Sequence, residues 1–269
     1  MRSRSGDLPV VLVIAGHDPS GGAGIQADIE AVRSQGCHPV TVLTTLTIQN
    51  SHSFDRQYPV SQKTLREQIG IVLRDTEVAA CKIGLIPNRT TAQSIAKQLS
   101  EIRSLPVVTD PVLASGSGAD LATGDVIAGV LDFLCPITTV LTPNVPEAMR
   151  LADSGEDRQQ IARTLAAAGS EYVLITGTHA STERVINDLF RGSELVDRQS
   201  WERLSGVYHG SGCTLSSSIA ALLALGLDPL AAVREAQAYT WHSLRAGYRA
   251  GEGQLLPNRL YWAPQRQMT

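Results

Sequence analysis

Short apolar runs alternate with longer amphipathic stretches through most of the chain. The runs at residues 10–15, 40–46, 79–83, 107–110, 139–141 and 172–176 are rich in Val, Ile and Thr and are bounded by Gly, Pro or Asp. That pattern predicts strands buried on both faces. Residues 25–34, 61–74, 90–103, 125–134, 147–151 and 159–168 lie between them and predict helices. Strand–helix alternation of this kind implies a parallel sheet with helices on both faces. The runs 185–190 and 195–199 flank Arg191-Gly192-Ser193 and predict a hairpin. The chain then turns helical, over 214–225 and from 229 to about 249. There is no linker, low-complexity tract or repeat, so one α/β domain over residues 1–269 is the simplest organisation.

Ligands of open α/β sheets bind beyond the carboxyl ends of the strands. Polar residues collect at those ends: His17-Asp18-Pro19-Ser20-Gly21-Gly22, Gln49-Asn50, Lys82-Ile83-Gly84, Asp110-Pro111, Thr142-Pro143-Asn144 and Thr176-Gly177-Thr178-His179. Charged and amide groups are costly where buried strands end unless they have partners. Their coincidence predicts a site.

Composition limits what that site serves. With 43% hydrophobic and 18% charged residues, the 269-residue chain has enough apolar material for a sizeable core and too much for a disordered protein. A net charge of −3 leaves no basic excess to match a phosphate backbone, which argues against nucleic acid as a partner. Arg2 and Arg4 precede the first apolar run as in a signal peptide, but that run is short and passes straight into His17-Asp18-Pro19. No stretch approaches the ~18 apolar residues of a membrane span. Cys37, Cys81, Cys135 and Cys213 lie far apart with no CxxC pair, which speaks against a disulfide framework or a zinc site. A cytoplasmic protein without membrane contact is the expectation.

Two glycine-rich loops carry the candidate chemistry. Gly21-Gly22-Ala23-Gly24 joins the first strand to the first helix, and residues 22–27 fit the dinucleotide pattern GxGxxA. That reading is rejected: residues 17–20 separate the glycines from the strand, and the second strand ends in Gln49, not in an acidic residue for a ribose hydroxyl. No GxxxxGK[ST] exists, so a P-loop is excluded. The plain alternative is a simple turn. Asp28 follows Gly24 by one helical turn on the loop side and is a candidate substrate contact. The second loop, Gly210-Ser211-Gly212-Cys213-Thr214, opens a helix. Successive N–H groups at a helix start make an anion cradle, and a cysteine there is expected to have a lowered pKa. A glycine-rich cap with a small core cysteine is the plain alternative.

Three segments are specific together: Ala15-Gly16-His17-Asp18-Pro19-Ser20-Gly21-Gly22-Ala23-Gly24-Ile25-Gln26-Ala27-Asp28, Thr142-Pro143-Asn144-Val145-Pro146-Glu147-Ala148 and His209-Gly210-Ser211-Gly212-Cys213-Thr214-Leu215-Ser216. Through them the chain resembles the hydroxymethylpyrimidine/phosphomethylpyrimidine kinases, thiamine-biosynthesis members of the ribokinase superfamily, over residues 9 to about 249. The resemblance implies a ribokinase-like three-layer α/β/α sandwich with a mostly parallel central sheet, and a homodimer. It implies ATP- and Mg²⁺-dependent phosphorylation of 4-amino-5-hydroxymethyl-2-methylpyrimidine, then of its monophosphate. By the same resemblance, the amides of Gly210, Ser211, Gly212 and Cys213 would hold the transferring phosphoryl group. Cys213 stands where most ribokinase relatives carry an Asp base. Asp110 and Glu147 match acidic positions linked to Mg²⁺. Gln49, Asp28, Ala23, Gly16 and Val112 would contact the pyrimidine, and Asn144, Thr176, Thr178 and Gly212 the nucleotide. Plainer roles stand beside these: Asp110 paired with Lys82, Glu147 in a capping box with Asn144, Gln49 as a turn residue, His209 orienting its loop.

The chain departs from the family pattern in places. Thr176-Gly177-Thr178-His179 stands where many members have Lys-Gly-Gly-His, which removes a charge facing the nucleotide phosphates. Leu85 replaces a common Met, His17 a Ser or Thr, and Ser211 a Thr. The competing readings are a pyridoxal kinase of the same superfamily, a non-catalytic pyrimidine or nucleotide sensor, and a hydrolase using Cys213 with His209 or His179. The small, Gly-rich stretch 113–121 reads as a lid.

Overall fold

The first apolar run forms β1 (Val10–His17), with Val11, Leu12, Val13, Ile14 and Ala15 all buried. In this computed structural model, which describes residues 8–102, 104–116, 118–178 and 182–264, β1 pairs in parallel with β2 (His38–Gln49) on one side and β4 (Ala80–Ile83) on the other. The parallel series continues through β5 (Val107–Thr109), β6 (Val140–Leu141) and β7 (Tyr172–Ile175). Antiparallel strands finish each edge: β3 (Phe54–Pro59) beside β2, and β8 (Arg184–Arg191) with β9 (Glu194–Glu202) beyond β7. Among the described residues this is a 9-stranded sheet in the order β3-β2-β1-β4-β5-β6-β7-β8-β9.

Side chains of successive strand residues point to opposite faces, and β1 shows the consequence. Val11, Val13 and Ala15 join one apolar cluster with Ile25 and Val32 of α1 (Gly24–Ser34), Ile219 and Ala220 of α7 (Ser211–Ala224) and Val233 and Ala236 of α8 (Pro229–Arg245). Leu12 and Ile14 join the other. That cluster takes Leu65 and Ile69 of α2 (Gln62–Asp75), Ile95 of α3 (Arg89–Leu99), Val126 of α4 (Gly124–Gly129), Leu151 of α5 (Val145–Ala152) and Ile161 of α6 (Arg158–Ala167). Each buried Val, Leu or Ile among them contributes ~1.5–3 kcal/mol by leaving water, so the two clusters clamp the sheet between helix layers. The expected three-layer α/β/α sandwich is the architecture.

Differences from the expected elements have local causes. The edge strand β3 was not anticipated because Phe54-Asp55-Arg56-Gln57-Tyr58-Pro59 is largely exposed and polar, as edge strands are. The helix expected over 125–134 stops at Gly129; a π turn (Val130–Leu134) and a 3₁₀ turn containing Pro136 (Cys135–Ile137) follow. The helix expected over 90–103 ends at Leu99, and Arg103 lies outside the described residues. The last helix ends at Arg245, just before Gly247. α7 begins at Ser211 rather than 214, which brings the cradle residues into its first turn. No helix of the described residues is long and apolar enough to cross a membrane.

Candidate active site

A cavity of about 730 Å³ opens at the carboxyl ends of the parallel strands. Gly16, Ala23, Gln49, Asp110, Val112, Asn144, Glu147, Thr176, Thr178, Gly210, Ser211, Gly212 and Cys213 all line it. Asp28 does not. It is fully buried behind the wall, where its Oδ1 pairs with Lys82 Nζ at 2.8 Å and accepts from Ser217 Oγ at 2.7 Å. The direct substrate contact expected of Asp28 is therefore corrected: the first helix turns this side chain into the core, and the group it presents to the cavity is Lys82.

The first glycine loop is closed by its own aspartate. Asp18, also buried, accepts from the amides of Ser20 and Ala23, both at 2.9 Å, and from Ser20 Oγ. Its Oδ2 lies 2.8 Å from His209 Nε2. Burial works to raise the Asp18 pKa, but the hydrogen bonds from His209 and Ser20 outweigh it and hold the carboxyl below its ordinary value. Gly24 adopts φ +59°, and a Cβ there would strike the Gly16 carbonyl oxygen.

The second loop is arranged otherwise. Gly210, the N-cap of α7, sits in the left-handed region at φ 84°, and no side chain caps the helix. The first-turn N–H groups of a helix have no intrahelical partner, and α7 is 14 residues long, so this end can receive an anion, with the helix dipole behind it. The two loops touch. A Cβ at Gly210 would run into the Gly22 carbonyl oxygen, and one at Gly22 would run into the His209 ring. His209 thus orients the loops while also lining the cavity.

Beneath the cradle lie the ionisable groups. Lys82 is fully buried; burial works against its charge, but Asp28, then Cys213 and Asp110, outweigh this and hold its pKa above the ordinary value. Asp110 stands beside Gly212 and accepts from Ser216 Oγ. Burial raises its pKa, Lys82 opposes, and Asp28 adds to the rise. The plainer Lys82–Asp110 pairing is not the one formed, since Lys82 takes Asp28. Glu147 completes the expected capping box with Asn144, each accepting the other's amide at 3.0 Å, and its Oε1 accepts from Leu113 N. Burial and the charge of Asp110 push Glu147 up to about 8. Cys213 departs most from expectation. Its thiol reaches the cavity, yet loss of solvation pushes its pKa up to about 12; Lys82 opposes the rise, and Asp28 and Asp110 add to it. Burial outweighs the helix start, so the lowered pKa is corrected. His209 Nε2 is held by Asp18, so the pairing of His209 with Cys213 that a hydrolase would use is not formed; His179 lies outside the described residues.

The lid candidate contributes Ala114, Ser115, Gly116, Gly118 and Leu121 to the wall, closed by an Ala114–Asp120 bridge; Ser117 lies outside the described residues. The far end of the cavity was missed from the sequence. Trp201 and Trp241 stack there with ring centroids 6.1 Å apart. Gln237 Oε1 accepts from Asn187 Nδ2 and Trp201 Nε1, while Asn187 Oδ1 accepts from Gly177 N. Arg203 donates to the carbonyls of Thr178 and Thr182, both at 2.8 Å, and also lines the cavity. The available signal was composition: of three tryptophans in the chain, two fall here.

The family model for phosphomethylpyrimidine kinase matches residues 18–258. A hydroxymethylpyrimidine/phosphomethylpyrimidine kinase of Rhizobium meliloti is 34% identical over 250 residues, covering 91% of this chain and 94% of its own. A thiamine biosynthesis bifunctional protein of Geobacter sulfurreducens is 36% identical over 248 residues, covering 90% of this chain, which spans 50% of that longer protein. Among solved structures, an ADP complex of Bacillus subtilis pyridoxal kinase superposes with a TM-score of 0.87 at 28% identity, covering 95% of this chain and 99% of its own. A phosphomethylpyrimidine kinase of Clostridium difficile gives 0.76 at 29%, covering 88% and 99%. The chain is a kinase of ribokinase-like fold and belongs to the phosphomethylpyrimidine kinase family.

Proposed function

We propose that this chain, acting as one kinase domain, transfers the γ-phosphoryl group of ATP to 4-amino-5-hydroxymethyl-2-methylpyrimidine and then to its monophosphate. The observation that carries the reading is the direct packing of the two glycine loops, which brings Gly16, Ala23, Gln49 and Val112 into one cavity with residues 210–213. The Gln49 amide both donates and accepts, as an aminopyrimidine edge requires. Phosphoryl transfer depends on positioning and charge neutralisation more than on covalent work. The amides of residues 210–213 supply donors to the phosphoryl oxygens. Cys213 takes the hydroxyl proton only as a thiolate, which Lys82 favours. Asn144, Thr176 and Thr178 lie toward the nucleotide. Arg203 is a cation at that end of the cavity, where Thr176 replaces the family lysine.

The donor set suits Mg²⁺. Asp110 and Glu147 are buried carboxylates of the cavity wall, close enough for one charge to raise the other's pKa. Among the described residues no larger His, Cys, Asp or Glu cluster is placed to hold a metal. Magnesium keeps several waters and takes one or two carboxylates, so Asp110 and Glu147 would hold it, and it would neutralise phosphate charge. We further propose a cytoplasmic homodimer. Leu46 and Tyr58, cross-strand neighbours on β2 and β3, are exposed together with Ile48, an apolar face suited to a second copy. Light scattering tests it. Nucleic acid and membrane are not partners in this reading.

Pyridoxal phosphorylation is a second reading, favoured by the 0.87 superposition on the Bacillus subtilis enzyme. Mass spectrometry of products from ATP, Mg²⁺ and either alcohol separates them. Pyrimidine mono- and then diphosphate is expected. Monophosphate alone limits the enzyme to one step; pyridoxal phosphate alone transfers the assignment; no product in either tube leaves a nucleotide-binding sensor.

A further inference from the structure

Arg259 is almost completely buried, in the segment that follows α8, far in sequence from either glycine loop. Its guanidinium reaches three separate elements. One terminal nitrogen donates to the Gly22 carbonyl of the first loop. Nε donates to Thr214 Oγ1, in the first turn of α7, at 2.9 Å. The other terminal nitrogen pairs with Glu30 of α1 at 3.0 Å. Thr214 Oγ1 passes the contact on, donating to the Gly210 carbonyl at 2.8 Å. The segment itself is anchored: Tyr239 Oη donates to the Arg259 carbonyl, and Leu255 brackets His209 by accepting its amide.

Stability alone gives weak reason for such a residue. A buried cation is costly to desolvate, and an apolar side chain of similar volume commonly does as well. What an apolar residue lacks is a rigid planar fork that fixes three acceptors at once. Two of those acceptors belong to the loops that face each other across the reacting centre. A misplacement of about 1 Å between reacting groups can cost ~100-fold in rate. The guanidinium also lies directly behind Gly210, so its charge adds to the positive end of α7.

We propose that Arg259 is a positioning residue for phosphoryl transfer: it locks the 21–24 loop to the first turn of α7 and so fixes the acceptor hydroxyl against the phosphoryl cradle. The inference rests on the kinase reading above, and its test separates the two. In the full chain, R259Q is expected to lower kcat by ~10–100-fold while KM for ATP stays within about threefold. R259K, which keeps the charge and loses the fork, recovers part of the rate. Binding of ADP alone with Mg²⁺, by calorimetry, is expected to be unchanged, and binding of ADP with aluminium fluoride, which fills the cradle, to weaken at least tenfold. That pair of binding measurements needs no pyrimidine. Wild-type protein that binds ADP–aluminium fluoride tightly, loses it in R259Q, yet phosphorylates no pyrimidine, upholds the positioning role and overturns the substrate. If R259Q does not fold, T214V removes one acceptor of the fork and should show the same pattern at about tenfold. The proposal fails if kcat per folded molecule stays within twofold, or if ADP–aluminium fluoride binding is unchanged.

Discussion

The two glycine loops follow the same outline, a Gly-rich turn leading into a helix, and do opposite things with their amides. In the 21–24 loop, Asp18 consumes the N–H groups of Ser20 and Ala23, so the turn is fixed by its own carboxylate. At residues 210–213 no side chain caps α7, and the first-turn amides stay available to a ligand. One loop is a finished wall; the other leaves its first-turn amides without a side-chain cap. The difference teaches that glycine content marks close backbone approach; whether a side chain takes the loop's own amides, as Asp18 does in one loop and none does at the start of α7, decides whether those amides stay open.

The largest effect expected is at the open loop. Cys213→Ser should lower turnover ~10²–10⁴-fold, the range for removing a positioned proton acceptor, while ADP binding stays within about twofold. Turnover near that of wild type would leave the cradle amides carrying the transfer without the thiol. Next is the contact between the loops. Gly210→Ala adds a left-handed alanine and a clash with a backbone oxygen, at φ 84°. Gly226→Ala, at φ 92° with open space around it, carries the conformational cost alone. Urea unfolding should show a loss of ~1–2 kcal/mol for Gly226→Ala and at least ~3 kcal/mol for Gly210→Ala. Equal losses would mean that the loops yield easily and are not one mechanical unit.

Much of this was legible in the sequence, for identifiable reasons. Strands buried on both faces, such as β1 and β4, announce themselves as apolar runs, and the polar residues that close them announce the site. The burial of Asp28 is not legible in the sequence because one helical turn after Gly24 describes distance along the helix, not which side of the cavity wall the side chain takes. The Cys213 pKa is not legible in the sequence because a helix start is local and visible, whereas burial among Asp28, Asp110 and Lys82 depends on elements distant in sequence. β3 and the Trp201–Trp241 end share the same cause: an exposed edge strand and a C-terminal helix have no periodic signal that says what they cover. Arg259 reads in isolation as a surface arginine; only the fold shows three acceptors converging on it.

The closed loop gives a smaller, pH-dependent effect. Asp18 has its folded-state pKa held below the ordinary value. A depressed carboxyl pKa stabilises the folded state above the unfolded value, near ~3.9, and that contribution fades as the pH falls through the folded value. Asp18→Asn cannot accept as many bonds and should cost ~1–3 kcal/mol at pH 7. The gap between wild type and Asp18→Asn should narrow as the pH drops below ~4. A gap that stays constant into acid would mean that shape, and not the carboxylate charge, closes this loop.

The smallest effect expected is a near absence of reaction, and it sharpens the comparison most directly. Cys37 and Cys135 are pushed up to about 11 by burial, and Cys81 is also raised. Cys213, at about 12, differs from these in reaching the cavity. The thiolate is the species that alkylates, so at pH 7.5 a thiol near 12 holds ~10³-fold less of it than a free cysteine. The higher intrinsic nucleophilicity of a more basic thiolate returns part of that factor. Native protein should therefore label at Cys213 with iodoacetamide ~10²-fold more slowly than a free thiol, with a rate rising about tenfold per pH unit. The three core thiols should label on unfolding. Labelling of Cys213 as fast as a free thiol would mean that the open amides of α7, with Lys82, overcome burial, and that the thiolate stands ready before any substrate arrives.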